Sequence, residues 1–116
     1  MKMLHVTIQT AKFAEEIRFY QDMAGLQIVR DMREAGTDIV FLADGEGETC
    51  IEVINAPEAG NAGNDQLSIG FKAEDLDQMK TKLTREGYET SPMISPDPHV
   101  RFFFTTDPAG VKVQFM

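Results

Sequence analysis

The stretch FAEEIRFYQDMAG, residues 13–25, and the stretch LDQMKTKLTREG, residues 76–87, decide the fold of this chain. In each, apolar residues recur at the spacing of one helix face, and a glycine follows where a helix commonly ends. The apolar positions are Phe13, Ile17, Tyr20 and Ala24 in the first stretch, and Leu76, Met79 and Leu83 in the second. The two glycines, Gly25 and Gly87, lie 62 residues apart. We therefore expect two similar helices, placed half a chain apart.

Strand-like segments surround both helices in the same order. Before each helix, apolar residues alternate with polar or small ones, starting at Leu4 and at Leu67, which is the period of a half-buried strand. Three further segments follow each helix: residues 27–32, 38–43 and 49–54 in the first half, and residues 89–94, 99–105 and 111–115 in the second. Asp44 and Asp107 begin turn sequences at equivalent points, 63 residues apart. This order predicts a βαβββ module that is used twice.

The chain of 116 residues has the length of one ordinary domain. Pro, Gly and Asn residues between the two halves are typical of a connecting segment. We assign module one to residues 1–56, a linker to residues 57–65 and module two to residues 66–116, within a single α+β domain. The alternative is one α+β domain without a repeat, in which the two helix-ending glycines coincide by chance.

Composition and charge exclude several classes of partner. Lys and Arg number 11 against 19 Asp and Glu, which gives a formal net charge of −8. Such a surface repels phosphate backbones and anionic lipid headgroups, so we expect neither a nucleic acid nor a membrane as partner. The single cysteine, Cys50, excludes an internal disulfide and favours a reducing compartment. We therefore expect a cytoplasmic protein.

One face of the predicted sheets carries chemistry-bearing side chains. If the helices cover the apolar side of each strand, the opposite side holds His5, Glu52, Ser68, Arg101, Phe103 and Gln114. A curved sheet that encloses a ligand cavity would provide cover for Phe103 and partners for Arg101 and Glu52. In such a cavity the Arg101 guanidinium would suit a carboxylate or phosphate. The alternatives are a plain wet sheet face and a salt bridge from Arg101 to Glu52 or a surface acid.

Four segments together resemble the vicinal oxygen chelate superfamily, which includes glyoxalases, bleomycin-resistance proteins and extradiol dioxygenases. They are LHVTI at residues 4–8, AEEIRFYQDMAGL at residues 14–26, CIEVI at residues 50–54 and DPAGVKVQF at residues 107–115. The resemblance spans nearly the whole chain. It implies a cupped, mixed or antiparallel sheet built from two βαβββ modules, and a symmetric homodimer.

The resemblance also implies a divalent metal ion, held by the first and last strands of each module. His5 and Glu52 match the family's ligands in module one, whereas Ser68 and Gln114 stand where histidine and glutamate are common in module two. The predicted metal ligands are therefore His5, Glu52 and Gln114, with Glu52 also the catalytic residue. Arg101, Ser68 and Phe103 are the predicted substrate-binding residues. The alternative for His5 and Glu52 is a simple contact between neighbouring strands.

Two functions follow from this resemblance. The first is a metal-dependent lyase, isomerase or dioxygenase that acts on a small molecule with two adjacent oxygens. The second is a metal-free binding protein that sequesters a small compound, as bleomycin-resistance proteins do. A third outcome is a module that has lost its site and serves only in association.

Overall fold

The computed structural model describes residues 1–116, and the chain forms two compact units, Met1–Ala62 and Gly63–Met116. Each unit contains one helix and one four-stranded mixed sheet. The predicted α+β class and the twofold use of a βαβββ module are confirmed. Neither helix combines the length and apolar character needed to cross a bilayer.

The first unit follows the order strand, helix, strand, strand, strand. Its elements are β1 (His5–Thr10), α1 (Phe13–Asp22), β2 (Gln27–Asp31), a 3-10 turn (Arg33–Ala35), β3 (Ile39–Ala43) and β4 (Cys50–Asn55). The strand order in the sheet is β1-β4-β3-β2, with β1 parallel to β4 and the other pairs antiparallel. Two parallel neighbours need a long connection between them. Here α1, β2 and β3 form the connection that brings β4 back alongside β1 in the same direction.

The second unit repeats this arrangement. Its elements are β5 (Ser68–Phe71), α2 (Leu76–Arg85), β6 (Ile94–Asp97), β7 (Val100–Thr106) and β8 (Lys112–Phe115). The sheet order β5-β8-β7-β6 is the counterpart of the first sheet, again with one parallel pair.

The two glycines that were expected to end the helices do so for a conformational reason. Gly25 has φ +69° and Gly87 has φ +91°, which is the left-handed region that costs other residues energy. At its start, α2 is capped by Asp75, whose carboxylate accepts the Gln78 N–H at 3.0 Å. Thr10 lies just outside α1, where its hydroxyl accepts the Lys12 N–H.

The apolar residues of each unit lie between its helix and its sheet. In α1, Ile17, Phe19 and Tyr20 are buried, and in α2 Leu83 is buried. Buried apolar sheet residues are Ile8, Val40, Leu42, Ala43, Ile51 and Val53 in the first unit, and Phe103, Val113 and Phe115 in the second. Alternate residues of β1, β4 and β8 are therefore buried, as their sequence patterns predict.

The predicted strand at residues 89–94 is wrong. The strand there is Ile94–Asp97, and of the earlier residues only Thr90 forms an isolated bridge, to Thr105. Ser91 explains the break, because its hydroxyl oxygen accepts the Phe104 N–H that a continuous strand partner would otherwise take. Pro92 follows and has no N–H to donate, so the backbone ladder stops here.

Candidate functional site

Four side chains form a row across the first sheet, on the face opposite α1. The register pairs Arg30 with Phe41, Phe41 with Glu52 and Glu52 with Thr7. Paired residues of neighbouring strands project to the same side, so all four share one face. His5 precedes Thr7 by two residues and lies on this face too, and both side chains are exposed, whereas Ile8 is buried. The predicted placement of His5 and Glu52 on this face agrees with the structure.

Glu52 is the centre of the polar part of this row. The Thr7 hydroxyl donates a hydrogen bond of 2.5 Å to Glu52 Oε1, and His5 Nε2 lies 3.4 Å from the same oxygen. The Glu52 side chain is only 12% exposed, whereas that of His5 is 39% exposed. A carboxylate so covered is held in one orientation by its neighbours, while the imidazole stays open to a small molecule. We call His5, Thr7 and Glu52 the polar cluster.

Phe41 forms the floor beside the polar cluster. The His5 ring meets Phe41 edge-on, with centroids 5.8 Å apart and planes at 74°. On the other side, the Arg30 guanidinium carbon lies 5.7 Å from the Phe41 centroid. Phe41 thus contacts both an imidazole and a guanidinium on one face of the sheet.

The second sheet has a different chemistry at the same register positions. Here Phe104 pairs with Gln114, and Gln114 pairs with Gly70. A Cβ placed on Gly70, the counterpart of Thr7, would lie 3.4 Å from Gln114 Oε1, so this amide oxygen lies close to the β5 backbone. Ser68 is exposed at the start of β5 on the same face. Neither carboxylate nor imidazole is present in this row.

Aromatic rings dominate the remainder of this second face. Lys112 Nζ lies 4.3 Å from the Phe104 centroid, and Phe102 packs edge-on against Phe104 at 5.7 Å. Phe104 therefore resembles Phe41 in having a cation over its ring. The face that holds Gln114 and Ser68 is consequently more apolar than the face that holds the polar cluster.

The predicted faces of Arg101 and Phe103 are wrong. Phe103 is completely buried, stacks on Phe115 and lies beneath Lys80 of α2. Arg101 pairs with Asp77 of α2 at 2.7 Å, so it too is on the helix side. The prediction failed because three successive phenylalanines in β7 show no alternation of apolar and polar residues. Phe102 and Phe104 are the residues of β7 on the same face as Gln114.

His5 and Glu52 fit a divalent metal ion as two of its ligands. Imidazole nitrogen and carboxylate oxygen both bind Zn²⁺ and related ions at about 2.0–2.2 Å. Two donors in neighbouring positions around one ion are then roughly 3.0–3.5 Å apart. The 3.4 Å between His5 Nε2 and Glu52 Oε1 meets that requirement. No group of three or more His, Cys, Asp or Glu side chains is arranged to hold a metal ion, so His5 and Glu52 form a pair of donors.

Thr7, Phe41 and Arg30 were not predicted as site residues, and only the register of the strands places them beside Glu52. Strand alternation places Thr7 beside Glu52 in general terms, but nothing in a hydroxyl residue indicates which carboxylate it will contact. The 63-residue repeat contained a usable signal for the second unit, because it aligns Phe104 with Phe41 and Phe103 with the buried Val40.

Comparisons with known proteins agree with this architecture. Residues 2–115 match the Glyoxalase/Bleomycin resistance protein/Dioxygenase superfamily. A lactoylglutathione lyase of Neisseria meningitidis is 23% identical over 124 residues, which covers 100% of this chain and 90% of that protein.

Solved structures of similar fold include two proteins of different named activity. The trypanothione-dependent glyoxalase I of Leishmania major aligns with a TM-score of 0.76 at 22% identity, covering 100% of this chain and 86% of that chain. A fosfomycin resistance protein from Mesorhizobium loti aligns with a TM-score of 0.75 at 16% identity, covering 98% and 89%. The repeated βαβββ module and the match across residues 2–115 lead to one conclusion: this chain belongs to the Glyoxalase/Bleomycin resistance protein/Dioxygenase superfamily.

Proposed function

We propose that this protein binds a small molecule with two adjacent oxygens and acts on it as a metal-dependent lyase, isomerase or dioxygenase. His5 and Glu52 are the proposed metal ligands. The observation that carries this proposal is the shared oxygen of the polar cluster, where Glu52 Oε1 lies 3.4 Å from His5 Nε2 and accepts the Thr7 hydroxyl. When bound, a divalent ion would polarise the substrate oxygens.

Three residues of the chain have further proposed roles in binding and catalysis. Glu52 is the only carboxylate among the predicted site residues and is therefore the proposed catalytic residue. Gln114 is the proposed third ligand, by the family pattern, and Ser68 a proposed substrate contact. A neutral amide oxygen is a weaker donor than a carboxylate, so we expect Gln114→Glu to raise the affinity for the metal.

A metal-free binding protein is the second candidate. Ser68 and Gln114 supply no imidazole or carboxylate, and the second face is rich in phenylalanine. Those features favour a protein that retains an apolar ligand without transforming it. The two candidates differ in one measurable property, the affinity for a divalent ion.

Removal of His5 tests the leading proposal. We expect the parent protein to bind Zn²⁺, Ni²⁺ or Mn²⁺ stoichiometrically, and His5→Ala to lower the affinity by at least about 10–100-fold. Isothermal titration calorimetry and elemental analysis of the purified protein measure both quantities. The matched control is His99→Ala, which removes the chain's other histidine from the turn between β6 and β7. Equal affinities for both variants would contradict the proposed ligand, and no binding by the parent would favour the metal-free candidate.

Thr7 should hold Glu52 in its ligating orientation. Thr7→Val keeps the shape of the side chain but removes the donor to Glu52 Oε1, so we expect metal affinity to fall by about tenfold. Thr7→Ser keeps the hydroxyl and should retain most of the affinity. The same calorimetric titration compares the two. If valine and serine behave alike, the hydroxyl has no role in positioning Glu52.

We also propose a symmetric homodimer. Leu4 and Leu67 are each 65% exposed, and each directly precedes a strand at the edge of its sheet, β1 or β5. Edge strands flanked by exposed leucines favour association with a second copy. Sedimentation at micromolar concentration should therefore give a dimer, and a monomer of 13.0 kDa would contradict it. The cytoplasm remains the proposed location, on the ground of composition.

A further inference from the structure

Arg30 is an exposed arginine without a carboxylate partner. The guanidinium groups of Arg33 and Arg101 are paired with Asp31 and Asp77. The hydrogen bond from Arg33 is strong enough to lower the pKa of Asp31 to about 2. Arg30 has no such hydrogen-bonded or ionic partner, and its guanidinium lies over the Phe41 ring. All five of its guanidinium N–H donors are therefore available to a ligand.

The position of Arg30 directs it towards the polar cluster. β2 is an edge strand, yet the guanidinium lies over Phe41 of the neighbouring strand instead of extending away from the sheet. Strands are about 4.8 Å apart, so the backbones of Arg30 and Glu52, two strands apart in one row, are separated by roughly 10 Å. Phe41 lies between them and offers a flat apolar surface.

We propose that Arg30 and Phe41 form an anion-binding subsite for the ligand of this protein. The ligand class is a small molecule with an anionic oxygen group, carboxylate or phosphate, at one end and a flat or apolar middle that covers Phe41. Its other end reaches His5 and Glu52. Guanidinium groups bind carboxylate and phosphate through two parallel hydrogen bonds, and stacking on an aromatic ring fixes the plane of the fork. The inference rests on the proposed function for the reacting end, and on Arg30 and Phe41 alone for the anionic end.

Matched small probes test the subsite without knowledge of the ligand. Benzoate and phenyl phosphate carry the anion, and benzamide has the shape of benzoate without its charge. We expect the full-length protein to bind benzoate about tenfold more tightly than benzamide, since hydrogen bonds to charged groups are worth about that factor. Titrations followed by NMR chemical shifts of the isotope-labelled protein measure the dissociation constants and identify the residues affected. The ratio of the benzoate and phenyl phosphate constants identifies which anion is preferred.

Two arginine variants separate local recognition from net charge. Arg30→Gln should abolish the preference for benzoate over benzamide, whereas Arg18→Gln, which removes the same charge from the exposed face of α1, should preserve it. Phe41→Leu should lower the affinity for benzoate and for benzamide to a similar extent, because both probes lose the aromatic surface that Phe41 offers. If Arg30→Gln binds benzoate as tightly as the parent, or if the parent does not distinguish the two probes, the subsite is wrong and Arg30 serves only to cover Phe41.

The metal titration distinguishes this failure from a failure of the proposed function. Arg30→Gln should leave metal affinity unchanged, because its guanidinium contacts Phe41 and neither of the proposed ligands His5 and Glu52. A parent that prefers benzoate but binds no metal upholds the subsite and contradicts the metal-dependent enzyme. A parent that binds metal but does not prefer benzoate contradicts the subsite and leaves the metal-dependent proposal standing.

Discussion

Replacing Phe103 with alanine should lower the free energy of unfolding by about 3–5 kcal/mol, the cost of truncating a buried aromatic ring. Phe103 has no exposed surface, and its ring stacks on Phe115 at 5.7 Å. The Lys80 ammonium lies 5.5 Å from the centroid of the same ring. The variant would therefore leave a cavity between α2 and the second sheet. Urea denaturation followed by circular dichroism measures the change.

The matched control is the preceding phenylalanine. Phe102 projects to the opposite face of β7 and is only partly buried, so Phe102→Ala should cost about 1–2 kcal/mol. The comparison decides the face of β7 directly. Equal losses from both variants, or a larger loss from Phe102→Ala, would contradict the placement of Phe103 in the core. Only under that outcome would Phe103 return as a substrate-binding residue.

The second large effect is expected at Gly63, within the stretch predicted to be a linker. A Cβ on Gly63 would clash with the Gly110 carbonyl oxygen and would lie 2.9 Å from the Val111 Cα. These are backbone atoms of the turn before β8, and they cannot relieve the clash by a change of rotamer as a side chain could. We expect Gly63→Ala to lower the free energy of unfolding by about 3 kcal/mol, at the upper end of overpacking costs.

Gly60 provides the control for this substitution. It lies three residues earlier in the same connecting stretch, and a Cβ there meets nothing within 4 Å. Gly60→Ala should be neutral or should stabilise the protein by up to about 1 kcal/mol, because alanine reduces the freedom of the unfolded chain. The same denaturation experiment compares the two variants. Similar stabilities for both would mean that the Gly63 segment does not pack against the Asp107–Gly110 turn.

Much of the fold could be predicted because local signals agree with one another. Gly25 and Gly87 adopt the left-handed backbone expected at the ends of helices. The repeat offset predicted two modules with the same order of elements, and each module forms a four-stranded sheet. Strands such as β1 and β8 alternate apolar and polar residues, and that alternation by itself selects the buried face.

The site was only partly predictable, since its contacts join residues far apart in the chain. His5 and Glu52 could be assigned to one face, but the Thr7 hydroxyl on Glu52 and the Arg30 guanidinium over Phe41 depend on the register of four strands. A shift of a single residue in one strand would reverse its faces and remove those contacts.

The sequence by itself determined the order of elements, the positions of the helix ends and the faces of the alternating strands, because each depends on residues close together in the chain. Local alternation did not determine the face of β7, and packing in the tertiary structure decided it. Phe102, Phe103 and Phe104 are equally apolar, so no local pattern chooses among them. The choice is made by pairing with β8 and by packing under α2, which bury Phe103 and pair Arg101 with Asp77.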